Sequence, residues 1–372
     1  MQGLDVNLVA PINQLGYGVV GCNVLKSLSK SGRNVALWAL GSEVRWPGDN
    51  EFHALVEKTL KNAQFYNKDA PSLRIWHQFE LDMFPGRGRR IAWPIFELNK
   101  FNDRELHHLK NVDHIVVCSD WAKTVIEENN INVPVTVAPL GVDPELFHFN
   151  QQEKDSRAYW LKDTTVFINV GKWEKRKGHD ELLAAFNAAF EPGDDVELWM
   201  INENPFIGNE NIAWKKKYAN SKMGAHIKFF PRFEGHHQMR KIFAHVDCGV
   251  FPSHAEGWNL EIPELMACGA HIIATDYSGH SQFLTDNNSF KLSVTGMEKA
   301  EDGKWFHGQG DWCMFDMDQL IEAMREVHEC KSDGTLAVNE PGILTAKELS
   351  WDNTTRCLEA ALESNYVCNE AD

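Results

Sequence analysis

The 372-residue chain predicts an α/β protein made of two Rossmann-like domains in tandem. Its length suits about two domains of ordinary size. Short apolar runs alternate with stretches of helical period along the first half, and the alternation restarts after a polar segment at residues 149–160. Strands separated by helices form parallel βαβ units, which bring ligands to the carboxyl ends of the strands.

In the first series, residues 4–12 read as a strand and Gly16-Tyr-Gly18 as the turn after it. A helix then carries Val20, Val24, Leu25 and Leu28 on one face and stops near Gly32. Apolar runs at 35–40, 72–79, 90–96, 114–119 and 135–138 are strands, and 52–63 and 120–128 are helices. The second series opens with strand 165–170, loop 171–178 and helix 180–190. Strands at 197–201, 227–230, 248–251 and 271–274 follow, with helices at 238–244 and 263–268. The expected domains are 1–152, 153–347 and a closing segment 348–372, whose amphipathic stretch 351–362 packs back on the first domain.

A formal charge of −16 argues against a nucleic-acid binder, because that affinity comes largely from phosphate neutralisation by Lys and Arg. The same charge opposes broad adsorption to anionic membranes; the basic runs Arg87–Arg90 and Lys215–Lys217 read as solvated surface. No apolar run reaches the roughly 18 residues of a membrane span, and the start of the chain lacks a basic leader. Eight scattered cysteines without a Cys-x-x-Cys pair read as reduced, mostly buried thiols. A cytoplasmic location is expected. Thirteen Trp supply flat faces that suit sugar C–H surfaces as well as core packing.

Two constellations carry chemistry. In Glu256-Gly-Trp-Asn-Leu-Glu-Ile-Pro-Glu264, Glu256 follows a strand and Glu264 falls in the first turn of the next helix. A carboxylate accepting two hydrogen bonds suits a vicinal diol, while helix-start amides favour phosphate oxygens. In Gly171-Lys-Trp-Glu-Lys-Arg-Lys-Gly178, four cations within six residues stand at a strand's carboxyl end. Fixed cations stabilise a departing diphosphate.

Together these blocks resemble the retaining GT-B glycosyltransferases of glycosyltransferase group 1, also called family 4. Val117-Cys-Ser-Asp-Trp121, Pro139-Leu-Gly-Val-Asp143, Phe251-Pro-Ser253 and Thr275-Asp-Tyr-Ser-Gly279 match in order as well. The resemblance implies the GT-B fold, with two domains facing each other across a cleft, and a nucleotide diphosphate sugar as donor. Glu264 would then hold the donor ribose and Glu256 the transferred sugar. Lys172 and Lys177 would bind the diphosphate; Lys172 replaces the family's usual Arg and loses its fork, so Arg176 shares the task. Amides around Trp258, Asn259 and Leu260, and at Gly16 beside Gly18, would complete the phosphate cradle. Arg232 and Phe233 stand where the family meets the base. Glu97 takes the place of the family's usual histidine in the first domain, with His77 as a second candidate.

The expected reaction moves a hexosyl group from a UDP- or GDP-linked sugar to a hydroxyl of a saccharide or glycan, with retention. No cofactor is expected, and no catalytic metal. Asp316-Met-Asp318 resembles a metal motif of another glycosyltransferase fold, but it precedes helix 319–328 and reads as a helix cap. An epimerase or sugar phosphorylase on the same fold, or a non-catalytic sugar-nucleotide binder, stays open.

Overall fold

The computed structural model describes residues 5–41, 50–159, 161, 163–233 and 235–363. Leu4 at the start of the expected first strand, Trp160 at the end of the polar segment and Cys368 lie outside the described residues.

Contacts divide the chain into two compact units. The first contains the described residues up to Phe96, then Phe101–Gly141 and the chain from Trp351; the second contains Glu97–Lys100 and Val142–Ser350. The division thus falls at Gly141, before the polar segment read as a linker. The reason is a buried ion cluster. Arg157, on the turn after α5 (Gln151–Ser156), donates both terminal guanidinium nitrogens to the Asp247 carboxylate, and Lys154 lies 3.4 Å from the same group. Asp247 also accepts the Val166 amide at 2.9 Å, so the polar stretch is pinned to the second unit's sheet. Breaking a buried pair of this kind costs about 3–5 kcal/mol.

The first unit runs β1 (Asp5–Pro11), α1 (Gly16–Lys30), β2 (Asn34–Leu40), α2 (Asn50–Asn62), β3 (Ser72–Ile75) and β4 (Arg90–Trp93). It continues through α3 (Asp103–Lys110), β5 (His114–Val117), α4 (Asp120–Glu128) and β6 (Val135–Val137). Among the described residues these strands form one parallel sheet in the order β2-β1-β3-β4-β5-β6. Gly16 and Gly18, read as a turn, are instead the first turn of α1. Asn13 turns the chain before it, its Oδ1 accepting the Leu15 amide at 2.9 Å. The helix α3, unread in the sequence, starts at a capping box in which Asn102 and Glu105 exchange hydrogen bonds. The last helix, α12 (Trp351–Glu363), belongs to this unit and bonds through Thr354 Oγ1 to the Pro139 carbonyl at 2.6 Å.

The second unit runs from α5 through β7 (Thr165–Val170), α6 (His179–Ala189), β8 (Val196–Ile201), α7 (Glu210–Ala219), β9 (Ile227–Phe229) and α8 (His236–Phe243). There follow β10 (Cys248–Phe251), α9 (Glu261–Ala267), β11 (His271–Thr275), β12 (Phe290–Leu292), β13 (Val294–Glu301), β14 (His307–Phe315), α10 (Met317–Ser332) and α11 (Glu340–Glu348). Its sheet is parallel in the order β12-β11-β10-β7-β8-β9. β7 is buried along its whole length, as expected of a central strand covered on both faces. Several elements were not legible in advance. Lys215–Lys217, read as a solvated surface run, lie in the last turns of α7, where Lys217 pairs with Asp180. β13 and β14 form a separate antiparallel ribbon. Asp316 is the N-cap of α10, accepting the amides of Asp318 and Gln319, in agreement with the cap reading.

Among the described residues, no helix is long and apolar enough to cross a membrane. The basic run at 87–90 is neutralised locally: Arg87 pairs with Asp69 and Arg90 with Asp113, and Arg89 donates to the Ala361 carbonyl. Cys22, Cys118, Cys248, Cys268 and Cys313 are buried free thiols.

Candidate functional site

Because the second sheet is parallel, the segments that follow β7, β8, β9 and β10 leave from one edge. Lys172, Arg176 and Lys177 follow β7, Arg232 and Phe233 follow β9, and Glu256 through Glu264 follow β10.

The basic loop closes in a single 3₁₀ turn, Lys175–Lys177, ending at Gly178 in the left-handed region (φ +66°). A Cβ there would lie 1.9 Å from the Pro252 carbonyl oxygen, so glycine lets this turn seat against the end of β10. The turn sends its cations different ways. Arg176 and Lys177 are buried and face inward, whereas exposed Lys175 donates to the Glu301 carbonyl at 3.0 Å. Lys172 pairs with Glu174 at 2.8 Å and lies 5.5 Å over the ring of exposed Phe206.

Glu256 is the hub. Its Oε1 accepts from Lys177 Nζ at 2.6 Å and Ser253 Oγ at 3.0 Å, and its Oε2 accepts from Arg176 Nη1 at 2.8 Å. Its own amide donates to Ser278 Oγ at 2.8 Å, and the Gly279 amide donates to its carbonyl at 2.9 Å. The Thr275–Gly279 phrase is therefore the brace of the Glu256 loop. Burial alone would raise the Glu256 carboxyl; Arg176 and Lys177 outweigh it and hold the group well below the ordinary carboxylate range. A carboxylate has about four acceptor positions, and three are taken here. Glu256 can offer one place to a hydroxyl, so the two-bond grip expected for a diol does not fit it as it stands.

Glu264 is the opposite case. No hydrogen bond or ion pair to its carboxyl is found among the described residues. Burial, then Glu261, then Asp143 push its pKa well above the ordinary value. Glu261, which the sequence reading passed over, is likewise raised by burial, with Lys177 opposing. The helix α9 begins at Glu261 rather than Pro263, so both Glu261 and Glu264 lie in its first turn. Charge influence runs from Lys177 to Glu261 and from Glu261 to Glu264, so the cations and the acids belong to one neighbourhood. Trp258 and Asn259 are buried in the preceding loop, where Asn259 takes φ +80° and its Nδ2 lies 3.2 Å from His280 Nε2. Leu260 is the cap position of α9.

Glu97 groups with the second unit, not with the first domain as expected: its carboxylate lies 3.7 Å from Arg176 Nη2. Burial raises it, against the pull of Arg176. Arg176 thus has three acidic neighbours, the closest two being Glu256 and Glu174 at 2.8 Å. Arg232 is half-buried, with its pKa lowered by burial and opposed by Glu203, and Phe233 packs near Phe230. Among the described residues, no hydrogen bond or ion pair joins these two to the Glu256 cluster. Gly16 and Gly18 stand at the carboxyl end of β1 in the other unit. His77 sits in an aromatic nest there, 4.7 Å from Tyr17 and stacked on Phe79. Glu174, Ser253 and Ser278 were missed as site residues; the lone acid inside the basic loop was the one available signal.

Two parallel Rossmann-like sheets, with paired acids and cations at the strand ends of the second, define the GT-B class. Solved structures agree on the fold. Sucrose-phosphate synthase from Thermosynechococcus elongatus matches with a TM-score of 0.70 at 14% identity, covering 96% of this chain and 97% of that one. Anabaena HepE in complex with UDP-glucose matches with a TM-score of 0.69 at 15% identity, covering 96% and 99%. Residues 150–299, which lie within the second unit, match the family model of glycosyl transferases group 1. A GDP-mannose-dependent alpha-(1-6)-phosphatidylinositol dimannoside mannosyltransferase of Mycobacterium tuberculosis is 25% identical over 55% of this chain and 51% of its own. A D-inositol 3-phosphate glycosyltransferase of Stackebrandtia nassauensis is 26% identical over 45% and 39%. The chain spans about half the length of the first of these relatives, and less of the second.

Proposed function

We propose that this protein is a glycosyltransferase that moves a hexosyl group from a UDP- or GDP-linked sugar to a hydroxyl of a saccharide or glycan, with retention and without a metal. The observation that carries the reading is the second unit's cluster: two buried cations on one carboxylate, beside a half-buried carboxyl with no hydrogen bond or ion pair among the described residues. An unpartnered carboxyl in such a place is costly unless a ligand supplies donors. The hydroxyls of a ribose are such donors, which suits Glu264. Lys177, Arg176 and Lys172 suit a diphosphate, whose charge grows as the glycosidic bond breaks. When phosphate draws Lys177 away, Glu256 Oε1 keeps its bond from Ser253 Oγ and gains one open position to accept from the transferred sugar. The names of the relatives support this donor class: one is called GDP-mannose-dependent, and a structural neighbour holds UDP-glucose.

The test is a thermal-shift and turnover screen of UDP-, GDP- and ADP-sugars in the presence of a chelator. One donor should raise the melting temperature of the wild type, and Glu264→Ala should abolish that rise. Proton NMR of the product would show whether the anomeric configuration is kept. A rise that survives in Glu264→Ala contradicts the site.

A further inference from the structure

The ribbon β13–β14 lies mostly beyond the family match, which ends at residue 299. It is tied at several points to the loops that carry the site. Lys175 Nζ donates to the Glu301 carbonyl, the Cys313 amide donates to the His254 carbonyl at 3.1 Å, and Lys304 pairs with Glu210 on α7. Its other contacts converge on one short segment. Leu98 is buried against Ala255, Ala300 and Trp312. The Asp311 amide donates to Asn99 Oδ1 at 2.8 Å, and Gln309 Nε2 donates to the Lys100 carbonyl at 2.9 Å. Gly310 (φ +71°) makes the fit, because a Cβ there would lie 2.7 Å from Asn99 Oδ1 and 3.2 Å from the Lys100 nitrogen. Three successive residues are thus held by burial, by a side-chain bond and by a carbonyl bond. The residue before them is Glu97.

We propose that the ribbon is a positioning device: by gripping Leu98–Lys100 it holds the Glu97 carboxyl against Arg176, with Asn99 and Gly310 as the positioning residues. This rests on the donor-site reading only for its kinetic consequence; the placement itself is independent of it. The charged groups facing Glu97 are Arg176, Glu256, Glu174 and Lys172. On the ribbon, Asp311 is occupied by Lys299 at 2.7 Å. Without the grip, the Glu97 side chain, already 31% exposed, moves away from Arg176 and opens further to water, and its carboxyl returns toward ordinary behaviour.

The experiment uses the full chain and four changes: Glu97→Gln, Asn99→Ala, Gly310→Ala and Gly303→Ala. Gly303 is the control, since it shares φ +71° but a Cβ there meets nothing within 4 Å. First, melting temperatures are followed against pH. A carboxyl raised in the folded state loses stability as pH climbs above its ordinary value of 4.5. Glu97→Gln should therefore gain on the wild type with rising pH. In the Asn99→Ala and Gly310→Ala backgrounds that gain should flatten, and in Gly303→Ala it should persist. Second, with whichever nucleotide sugar is turned over, Asn99→Ala and Gly310→Ala should lower kcat about tenfold at near-constant donor KM. The step in the pH–rate profile that Glu97→Gln removes should move to lower pH in both. A gain from Glu97→Gln that is unchanged in the Asn99→Ala and Gly310→Ala backgrounds would overturn the proposal. Absence of any donor-induced shift in the wild type would instead overturn the function, while the stability cycle still decides the placement.

Discussion

Replacing Glu256 by Gln tests the electrostatic design of the site most directly. The exchange keeps the shape and one acceptor oxygen, but it turns the other oxygen into an N–H donor facing either Arg176 or Lys177. Their side chains are 5% and 11% exposed, so water cannot compensate fully. Arg176 retains Glu174 at 2.8 Å and Glu97 at 3.7 Å. Lys177 loses the only carboxylate with which it forms an ion pair among the described residues. Removing one partner of a buried pair costs about 3–5 kcal/mol, and the retained oxygen argues for about 3 here. For a unit of this size that is roughly 6–12 °C in melting temperature.

The same change should make the protein more responsive to diphosphate. UDP or GDP supplies the negative charge that Glu256 withdrew, so the nucleotide-induced rise in melting temperature should be larger in Glu256→Gln than in the wild type. Turnover should fall. The assay is a melting series with and without UDP, GDP and pyrophosphate. A variant as stable as the wild type would show that the ion cluster is not formed as described. A destabilised variant with no larger nucleotide response would show that these cations do not meet phosphate.

Glu264→Gln should do the reverse, stabilising the free protein while removing the donor response. It deletes a raised carboxyl that burial, Glu261 and Asp143 disfavour, and its advantage over the wild type should grow as pH rises above about 4.5. Equal melting temperatures across pH would count against this. His254 offers a second pH dependence. Burial alone would lower its pKa, but Glu181 at 3.5 Å, the Cys313 carbonyl and Glu298 at 3.9 Å raise it above 6.5. A raised histidine stabilises fully below its unfolded pKa and loses that contribution as pH climbs through the folded value. Glu181→Gln should therefore cost most near pH 6 and least near pH 8 (about those values, from the ordinary histidine pKa). A cost that does not vary with pH would refute the pairing.

Much of the fold was legible because it rests on local periodicity. The apolar runs that became β7, β10 and β11 lie within a residue of where the alternation put them. The Glu256 and Lys177 motifs were legible for a related reason: a parallel sheet sends its strand ends to one edge, so residues at those ends meet whatever lies between them in the chain. Elements with weaker signals were not. α7 carries Trp214 and three lysines without a clean apolar face, and β13–β14 alternate too loosely to stand out from loop.

What the amino-acid sequence determined by itself was the alternating α/β plan, its restart, and the pairing of a basic loop with an acid-rich one. What only the tertiary structure decided was the state of each charge. Glu256 and Glu264 are the same residue type eight positions apart. One is driven down by Arg176 and Lys177, and the other is driven up by burial beside Glu261 and Asp143. The placement of Glu97 is likewise tertiary, since the ribbon that holds it comes from residues some two hundred positions later. Charge interactions depend on distance and burial in space, and neither quantity is written in the order of residues along the chain.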